Sequence, residues 1–417
     1  MKKDALVYFL GKIVPALVTL AIIILGVRML GEAEYGRYSL VFYASMLVST
    51  LTFGWIQQST IRFLSAHSGD LDRVINRFFH LTLLSAVAAI LVMFPLCLFY
   101  FGLSWTETGI VLSYVFLYNF YWFNLTLNIA QSKPVRFALL EGSFNLIYLA
   151  VLLVFLYGFG MKWFAVLFLS MSLGLVFAEC IRTGIPASQK FRVNLRHFYW
   201  DTAFTKKMFD FGFTLTLWLF LSYIVTIADR FIIKEYFSYA EVGIYSAVKD
   251  LIIKISTFAA APVILAYHPG IVREWNLKNK QEAARLIRES ILFILAEFAI
   301  VLAVFLLLQD FIYSRVLHLT AQIPHLLSAF LLGSAFLWNL AMMVHKPLEL
   351  LLKQRIMIVA VSAVLAINVG ANLLLVPRFG LLAAAVTAFS SSLLYILIVV
   401  LIIYRKFASE LNPSQRE

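Results

Sequence analysis

The sequence predicts an all-α polytopic membrane protein, with twelve transmembrane helices in two six-helix lobes related by a pseudo-twofold axis along the membrane normal. Three observations predict this class. The chain of 417 residues is 62% hydrophobic and 13% charged, whereas a soluble domain is about a quarter charged. Apolar runs of about 20 residues, long enough to cross a hydrocarbon core, recur along the whole length. The phrase AEYGRYS at 33–39 also returns as AEVGIYS at 240–246.

The apolar segments give the candidate spans in order. In the first half they lie at roughly 6–27, 36–58, 78–101, 108–130, 139–158 and 163–181. In the second half they lie at roughly 211–233, 241–266, 290–308, 323–344, 356–375 and 381–403. Most of the 34 Lys and Arg residues then fall on the side of the N-terminus. The positive-inside rule therefore predicts that both termini are cytoplasmic, and the net charge of +12 needs no nucleic-acid partner.

The repeated phrase indicates an internal duplication. Its two copies follow the first and the seventh span, so an even number of spans separates them and both halves have the same orientation. Gly31-x-x-Glu34 and Ser238-x-x-Glu241 each fit a helix start with a cap residue and a Glu at the third helical position. Tyr38 suits an interfacial aromatic belt, as does its counterpart Tyr245. A second repeated stretch reads FGMKWFAV at 159–166 and FGLLAAAV at 379–386, close to the start of the last span of each half.

The domain prediction follows from this repeat. Residues 1–181 form the first lobe, 182–207 a cytoplasmic linker, and 208–417 the second lobe with a short cytoplasmic tail. The linker is basic, and two interpretations stay open. Its amphipathic stretches either lie on an anionic membrane surface or form a solvated connection.

Three stretches resemble the polysaccharide flippases, the Wzx-like O-antigen and exopolysaccharide exporters. They are MLGEAEYGRYSL at 29–40, IADRFIIKEYFSYAEVGIYSAVKDL at 227–251 and LVPRFGLLAAAVTAFSS at 375–391. The superfamily, called MOP, also contains the MATE drug exporters and the lipid II flippases, so the resemblance implies a MATE-like fold. Its motifs are mostly Gly, Tyr and Asp-Arg at helix ends, which identify the superfamily better than the substrate.

The resemblance also implies a function. Such proteins move an undecaprenyl-pyrophosphate-linked oligosaccharide from the cytoplasmic to the periplasmic leaflet of the bacterial inner membrane by alternating access. The product serves O-antigen, capsule or exopolysaccharide synthesis, so membrane lipids, a polysaccharide polymerase and chain-length machinery are the expected partners. A cationic cavity lined chiefly by the first, second, seventh and eighth spans is the expected substrate site.

The eighth span has the richest set of intramembrane charges. Asp250 and Lys254 share one polar helical face, with Lys254 near mid-membrane, and Lys249 lies on another edge. A charge inside a span is costly and indicates function. We expect Lys249 and Lys254 to bind the pyrophosphate or an acidic sugar. The alternative is an Asp250–Lys254 ion pair that stabilises the helix bundle.

The seventh span carries Asp229 and Arg230 at a depth similar to that of Lys249. An Asp229–Lys249 pair across the two helices is the contact that we predict most directly. Two roles stay open for it. The pair is either a static brace or a gate that opens when Asp229 is protonated.

Other spans supply further candidates. Arg62 ends a polar stripe on the second span, where a guanidinium suits phosphate oxygens, and Lys12 lies on the first span; the alternative for both is snorkelling to the interface. On the fourth span one face offers sugar-binding side chains, unless they serve helix packing: Tyr121, Asn124 and Asn128. Glu297 is an isolated acid in the ninth span and a candidate proton relay.

The sequence disfavours several other chemistries. It contains no Walker A loop and no His/Cys cluster with metal-ligand spacing. We therefore expect a transporter with no cofactor, no metal and no catalytic residue, with possible coupling to a proton or sodium gradient. Two alternative functions stay open. They are a MATE-like cation-coupled exporter of small molecules and a membrane polysaccharide polymerase or glycosyltransferase.

Overall fold

The computed structural model of the chain describes residues 2–64, 71–184, 201–403 and 405, and for residues 2–12, 71, 72 and 182–184 it describes the backbone alone. Within these ranges the chain forms helices and connecting loops, and no strand occurs among the described residues. The predicted all-α class is therefore confirmed.

Two compact units divide the chain, Met1–Phe220 and Leu221–Glu417. Unit 1 contains these helices and the first half of α7: α1 Lys2–Leu25, α2 Glu32–Leu64, α3 Leu71–Pro95, α4 Trp105–Ala130, α5 Pro134–Leu153 and α6 Ala165–Gly184. The boundary falls inside α7, Thr202–Tyr236. Unit 2 contains the second half of α7 and these helices: α8 Tyr239–Asn276, α9 Lys280–Phe311, α10 His325–Val344, α11 Lys346–Leu350 and α12 Gln354–Ile402.

The predicted linker at 182–207 lies largely outside the described residues, because 185–200 are not among them. The division of the chain at this segment stays a prediction.

The helices are compatible with twelve spans. Among the described residues, ten helical segments are long and apolar enough to cross a membrane, and α6 adds a shorter apolar stretch, Ala165–Ile181. The 49-residue α12 is interrupted by non-helical backbone at Gly380 (φ 64°, ψ −147°), shortly after Pro377. At 1.5 Å per residue, α12 would be about 74 Å long if straight, more than twice the thickness of a hydrocarbon core. It is therefore long enough to supply two spans.

Equivalent helices in the two units end in the same way. After α3, the Phe101 N–H donates to the Leu96 carbonyl at 3.0 Å, and the Leu103 N–H donates to the Cys97 carbonyl at 2.9 Å. After α9, the same spacing recurs between Leu317 and Ile312 and between Leu319 and Tyr313, each at 2.9 Å. Gly102 (φ 62°) and His318 (φ 56°) occupy the left-handed position of the two turns. The same pattern also follows α5, between Phe159 and Val154 at 3.2 Å and between Met161 and Phe155 at 3.0 Å. It is therefore a helix ending that this chain uses repeatedly.

The predicted helix starts are confirmed at both copies of the phrase, because α2 begins directly after Gly31 and α8 directly after Ser238. The two caps differ in their hydrogen bonds. At α8, Ser238 and Glu241 form the reciprocal capping box, and the Ser238 N–H donates to Glu241 Oε2 at 3.2 Å. At α2, Gly31 has no side chain to complete such a box. Glu34 instead accepts the Phe164 N–H at 2.8 Å, just before α6.

The two tyrosines of the phrase are also placed differently from the expectation. Tyr38 is 9% exposed and Tyr245 is 1% exposed, so both are buried. The aromatic-belt interpretation is wrong because the side chains point into the helix packing, where the Tyr245 hydroxyl has a hydrogen-bond partner that is described below.

Within unit 1, α2 and α7 pack closely at Gly212. A Cβ atom added there would lie 2.2 Å from the Trp55 carbonyl oxygen and 2.5 Å from Ser59 Oγ. The Ser59 hydroxyl donates to the Met208 carbonyl at 2.6 Å, one turn earlier on α7. The absence of a side chain at Gly212 therefore sets how closely the two helices approach.

We predict that Gly212→Ala lowers the stability of the protein by about 1–3 kcal/mol, because the methyl group meets backbone that cannot rotate away. Thermal unfolding in detergent, followed by intrinsic fluorescence, measures the loss. Gly109→Ala is the matched control, since a Cβ there meets nothing within 4 Å. Equal melting temperatures for Gly212→Ala and Gly109→Ala would contradict the packing argument.

Candidate functional site

The candidate site lies where α7 and α8 run side by side in unit 2. The two helices are antiparallel and joined through Phe237 and Ser238. Residues close to the end of α7 therefore lie at the same depth as residues close to the start of α8. This geometry brings together five side chains: Asp229, Arg230, Tyr245, Lys249 and Asp250.

The Asp229 carboxylate is held by three donors. Its Oδ2 accepts the Tyr245 hydroxyl at 2.6 Å and also forms an ion pair with the Lys249 ammonium. Its Oδ1 accepts the Arg230 N–H at 2.9 Å. The predicted contact between Asp229 and Lys249 is therefore confirmed, whereas its role as brace or gate stays a prediction.

A second ion pair lies beside the first. Arg230 Nη2 donates to Asp250 Oδ1 at 2.6 Å, and the Arg230 side chain is fully buried. The sequence offered Lys254, one turn away, as the partner of Asp250, but the buried pair that Asp250 forms is with Arg230 across the helices. The spacing of residues along α8 did not predict Arg230 as the partner of Asp250, because this contact depends on how α7 is rotated against α8.

The network as a whole carries no net charge. It contains two carboxylates, one ammonium and one guanidinium, and none of the four side chains is more than 9% exposed. Charges in a low-dielectric interior are tolerated when each is paired and hydrogen-bonded. We expected a cationic site to which Lys249 contributes. Its positive charge is present, but the adjacent carboxylate of Asp229 neutralises that charge.

A small cavity with a mostly apolar lining and several polar side chains lies against this network inside unit 2. Its volume is about 80 Å³, and α7, α8, α10 and α12 form its walls. Its polar lining consists of Thr226, Lys249, Thr257, Ser334, Asn339 and Ser392, with Trp338 beside them. Ser334 and Ser392 are hydrogen-bonded to each other at 3.1 Å. Lys249 thus belongs both to the ion network and to the cavity wall.

Lys249 has donor capacity for a ligand in that cavity. Its ammonium has three N–H donors. One is directed to Asp229, and a second donates to the Thr226 carbonyl at 2.7 Å. The third donor remains for a group that enters the cavity.

The other predicted cations are placed differently. Lys254 is exposed on α8, further along the helix than Lys249. Arg62 is exposed near the end of α2, with its guanidinium 4.2 Å from the centre of the Phe211 ring. The side chain of Lys12 lies outside the described residues.

The predicted sugar-binding face of α4 packs against neighbouring helices. Tyr121 is 3% exposed, and its ring lies 4.9 Å from that of Phe144 on α5. The Asn124 amide donates to Glu179 Oε1 at 2.8 Å, and the Asn128 amide donates to the Asn124 carbonyl at 2.9 Å. These contacts agree with the packing alternative, and a role in binding sugar stays a prediction.

Glu297 on α9 stands apart from the site. Its Oε2 atom is buried and has no hydrogen-bond partner among the described residues. Its role as a proton relay stays a prediction.

The sequence analysis did not predict two of these contacts. Tyr245 was part of the repeated phrase, but its contact with Asp229 was not visible in the spacing. Glu179 lies close to the end of its span, where acidic residues commonly face water, whereas its Oε1 atom accepts the Asn124 amide on α4.

Solved structures with a similar fold are membrane transporters. An inward-facing multidrug resistance MATE family transporter of the MOP superfamily matches with a TM-score of 0.75 and 14% identity, over 98% of this chain and 99% of that one. A MOP superfamily transporter from Pyrococcus furiosus matches with a TM-score of 0.70 and 15% identity, over 97% and 94%. The inward closed form of the lipid II flippase MurJ matches with a TM-score of 0.74 and 11% identity, over 96% and 87%.

At these identities the likeness shows the fold, which is that of the MOP transporters. The family described as polysaccharide biosynthesis protein matches residues 1–275, and the chain belongs to this family. No curated protein sequence matches the chain. The protein is thus a multi-pass membrane transporter of the polysaccharide flippase class rather than an enzyme.

We predict that Arg230→Met destabilises unit 2 by about 3–5 kcal/mol, because it leaves the Asp250 carboxylate buried without its partner. The double variant Arg230→Met/Asp250→Leu should recover much of this loss, since it removes both charges. Unfolding by urea in detergent measures both effects. Arg285→Met is the control, because its pair with Glu282 is exposed to solvent and should add little to the stability. A single variant as stable as the wild type would contradict the pairing.

Proposed function

We propose that the protein is a flippase that moves a polyprenyl-pyrophosphate-linked oligosaccharide from the cytoplasmic to the outer leaflet by alternating access. One observation carries the proposal. A chain of the polysaccharide biosynthesis family has the fold of a transporter. One protein with this fold is named as the flippase of lipid II, a lipid-linked substrate, which supports the same class of substrate here.

The cavity in unit 2 has the chemistry for one polar group of such a substrate. A cavity of about 80 Å³ holds several water molecules, since about 10–15 Å³ measured in this way is enough for one. It therefore suits a single phosphate or a sugar hydroxyl edge, not a whole oligosaccharide. The third donor of Lys249 supplies a charge-assisted hydrogen bond to an anionic oxygen. The side chains suited to hydrogen bonds with sugar hydroxyl groups are Ser334, Asn339 and Ser392. The Trp338 ring suits packing against the face of a sugar.

Three other cations serve to attract the anionic headgroup in this proposal. They are Lys254 on α8, Arg62 at the end of α2 and Lys12 on α1. Exposed cations raise the local concentration of an anion by electrostatic attraction. In a cytoplasmic membrane with both termini inside, the membrane potential would favour outward movement of an anion by about 2.3 kcal/mol per charge per 100 mV. A polymerase and chain-length machinery would then receive the exported oligosaccharide.

The direct test is mass spectrometry of the lipids that co-purify with the protein in mild detergent. We expect a polyprenyl diphosphate carrying an oligosaccharide in the wild type. The double variant Lys249→Met/Asp229→Asn should retain at least about tenfold less, because it removes a charge-assisted donor. It also keeps the network at zero net charge, since Arg230 and Asp250 remain paired, so the protein should still fold.

Lys254→Ala should also reduce the retained lipid, without loss of thermal stability, because Lys254 is exposed. Lys280→Ala, at the start of α9, is the control and should retain the wild-type amount. Co-purification of phospholipid alone, together with saturable binding of small organic cations, would contradict the proposal and favour a MATE-like exporter.

A further inference from the structure

A buried histidine joins α10 to α11 in unit 2, and none of the roles above uses it. The His345 side chain is 0% exposed. Its ring Nε2 lies 3.0 Å from Glu349 Oε1, one turn further along the chain on α11. Its ring Nδ1 lies 3.2 Å from the hydroxyl of Tyr395 on α12, which is also buried. Both ring nitrogens therefore have polar partners, and the two partners belong to different helices.

The Glu349 carboxylate has a second cationic partner. Lys346 Nζ donates to Glu349 Oε2, and only 5% of the Lys346 side chain is exposed. The Glu349 side chain is 33% exposed, so the carboxylate connects this buried pair to the surface of the protein. While the His345 ring is neutral, Lys346 and Glu349 balance each other. A proton on His345 then adds one positive charge beside a carboxylate, which favours the charged form of the ring.

The hydrogen-bond partners define the neutral form of the His345 ring. Because an ionised carboxylate only accepts hydrogen bonds, the ring hydrogen lies on Nε2 and is donated to Glu349. Nδ1 is then an acceptor, and the Tyr395 hydroxyl donates to it. A hydroxyl also accepts hydrogen bonds. When Nδ1 takes up a proton, the new N–H therefore donates to the Tyr395 oxygen, and both hydrogen bonds of the ring are kept in both charge states.

Tyr395 connects the histidine to the wall of the cavity. Its ring centre lies 5.5 Å from that of Trp338, and Trp338 lines the cavity together with Lys249. Ser392, about one turn before Tyr395 on α12, lines the cavity as well. A proton on His345 reverses the hydrogen bond of Tyr395 and adds a positive charge behind this wall. An anionic group in the cavity would then be held more tightly.

We propose that His345 is a proton-binding site that regulates the cavity of unit 2, with Glu349 as the carboxylate that stabilises the charged ring and Tyr395 as the contact to the cavity wall. Histidine suits this role because its charge ordinarily changes between pH 5 and pH 8. Proton binding stands independently of transport. Its effect on a bound anionic substrate rests on the flippase proposed above.

Other titratable side chains lie around His345 on three helices. Among the described side chains they are Lys346 and Glu349 on α11, Tyr395 on α12 and His268 on α8. The charges of Lys346 and Glu349 also act on His268. Because two histidines lie in this region, the experiment must follow His345 separately from His268.

Nuclear magnetic resonance of the full-length protein in detergent provides that separation when histidine and tryptophan carry ¹⁵N. The two ring nitrogens of a histidine have different chemical shifts in the neutral and charged forms. The His345 signals are assigned by their loss in His345→Gln, and those of His268 by their loss in His268→Gln. We expect the His345 signals to change from the neutral to the charged form as the pH is lowered from 8 to 5.

Two variants should move the midpoint of this change in opposite directions. Glu349→Gln should lower it by about one pH unit, a tenfold loss of proton affinity, because the charged ring loses its carboxylate partner. Lys346→Met should raise it, because a competing cation is removed from Glu349. Glu289→Gln neutralises a carboxylate that pairs with Arg285 on α9 and is the matched control. It should leave the midpoint unchanged.

The Trp338 indole signal tests the link to the cavity. We expect it to change with the same midpoint as His345 in the wild type and in His268→Gln. It should not change over this pH range in His345→Gln. The Trp338 signal itself is assigned by its loss in Trp338→Phe.

The proposal is overturned if the His345 ring stays neutral down to pH 5, or if neither Glu349→Gln nor Lys346→Met moves its midpoint. It is also overturned if the Trp338 signal is independent of His345. If Glu349→Gln does not fold, Lys346→Met decides the role of the carboxylate. None of these measurements needs a lipid-linked oligosaccharide, so failure here is distinct from failure of the proposed function.

Discussion

Charge pairing inside a hydrocarbon environment is the constraint on which unit 2 depends. Asp229 with Lys249 and Arg230 with Asp250 place four ionised side chains where water is scarce. Each is tolerable because its partner is within hydrogen-bond reach, and Asp229 and Lys249 have further hydrogen bonds with the Tyr245 hydroxyl and the Thr226 carbonyl. The pairs fix the rotation and depth of α7 against α8, and that orientation places Lys249 on the wall of the cavity.

The same pairing shapes what the site can bind. A neutral network attracts neither anions nor cations strongly from a distance, so selectivity comes from the individual donors that face the cavity. Lys249 offers one such donor beside hydroxyl, amide and indole groups. This set suits a phosphate or a sugar edge better than an organic cation, which needs net acidity.

The sequence predicted the class of fold well because its causes are local. The apolar runs indicate the length of each span, and the repeated phrase indicates the internal duplication. The Asp229–Lys249 contact was predictable since a short loop fixes the relative depth of α7 and α8. The Arg230–Asp250 pair and the burial of Tyr245 were not, because they depend on helix rotation. The hydrogen-bond partner of Glu34 was not predictable for a similar reason. Its carboxylate accepts the Phe164 N–H just before α6, more than a hundred positions away, and no local pattern encodes that contact.

The most direct measurement is translocation itself. Purified protein is reconstituted into liposomes containing a short polyprenyl-diphosphate oligosaccharide, and a membrane-impermeant glycosidase reports which sugars are exposed outside. The account predicts that the protein exposes the inner-leaflet pool, and that Lys249→Met/Asp229→Asn slows this exposure while the liposomes stay sealed. The account would be contradicted if the inner-leaflet oligosaccharide stayed protected from the glycosidase with the wild-type protein, under either a pH or an Na⁺ gradient.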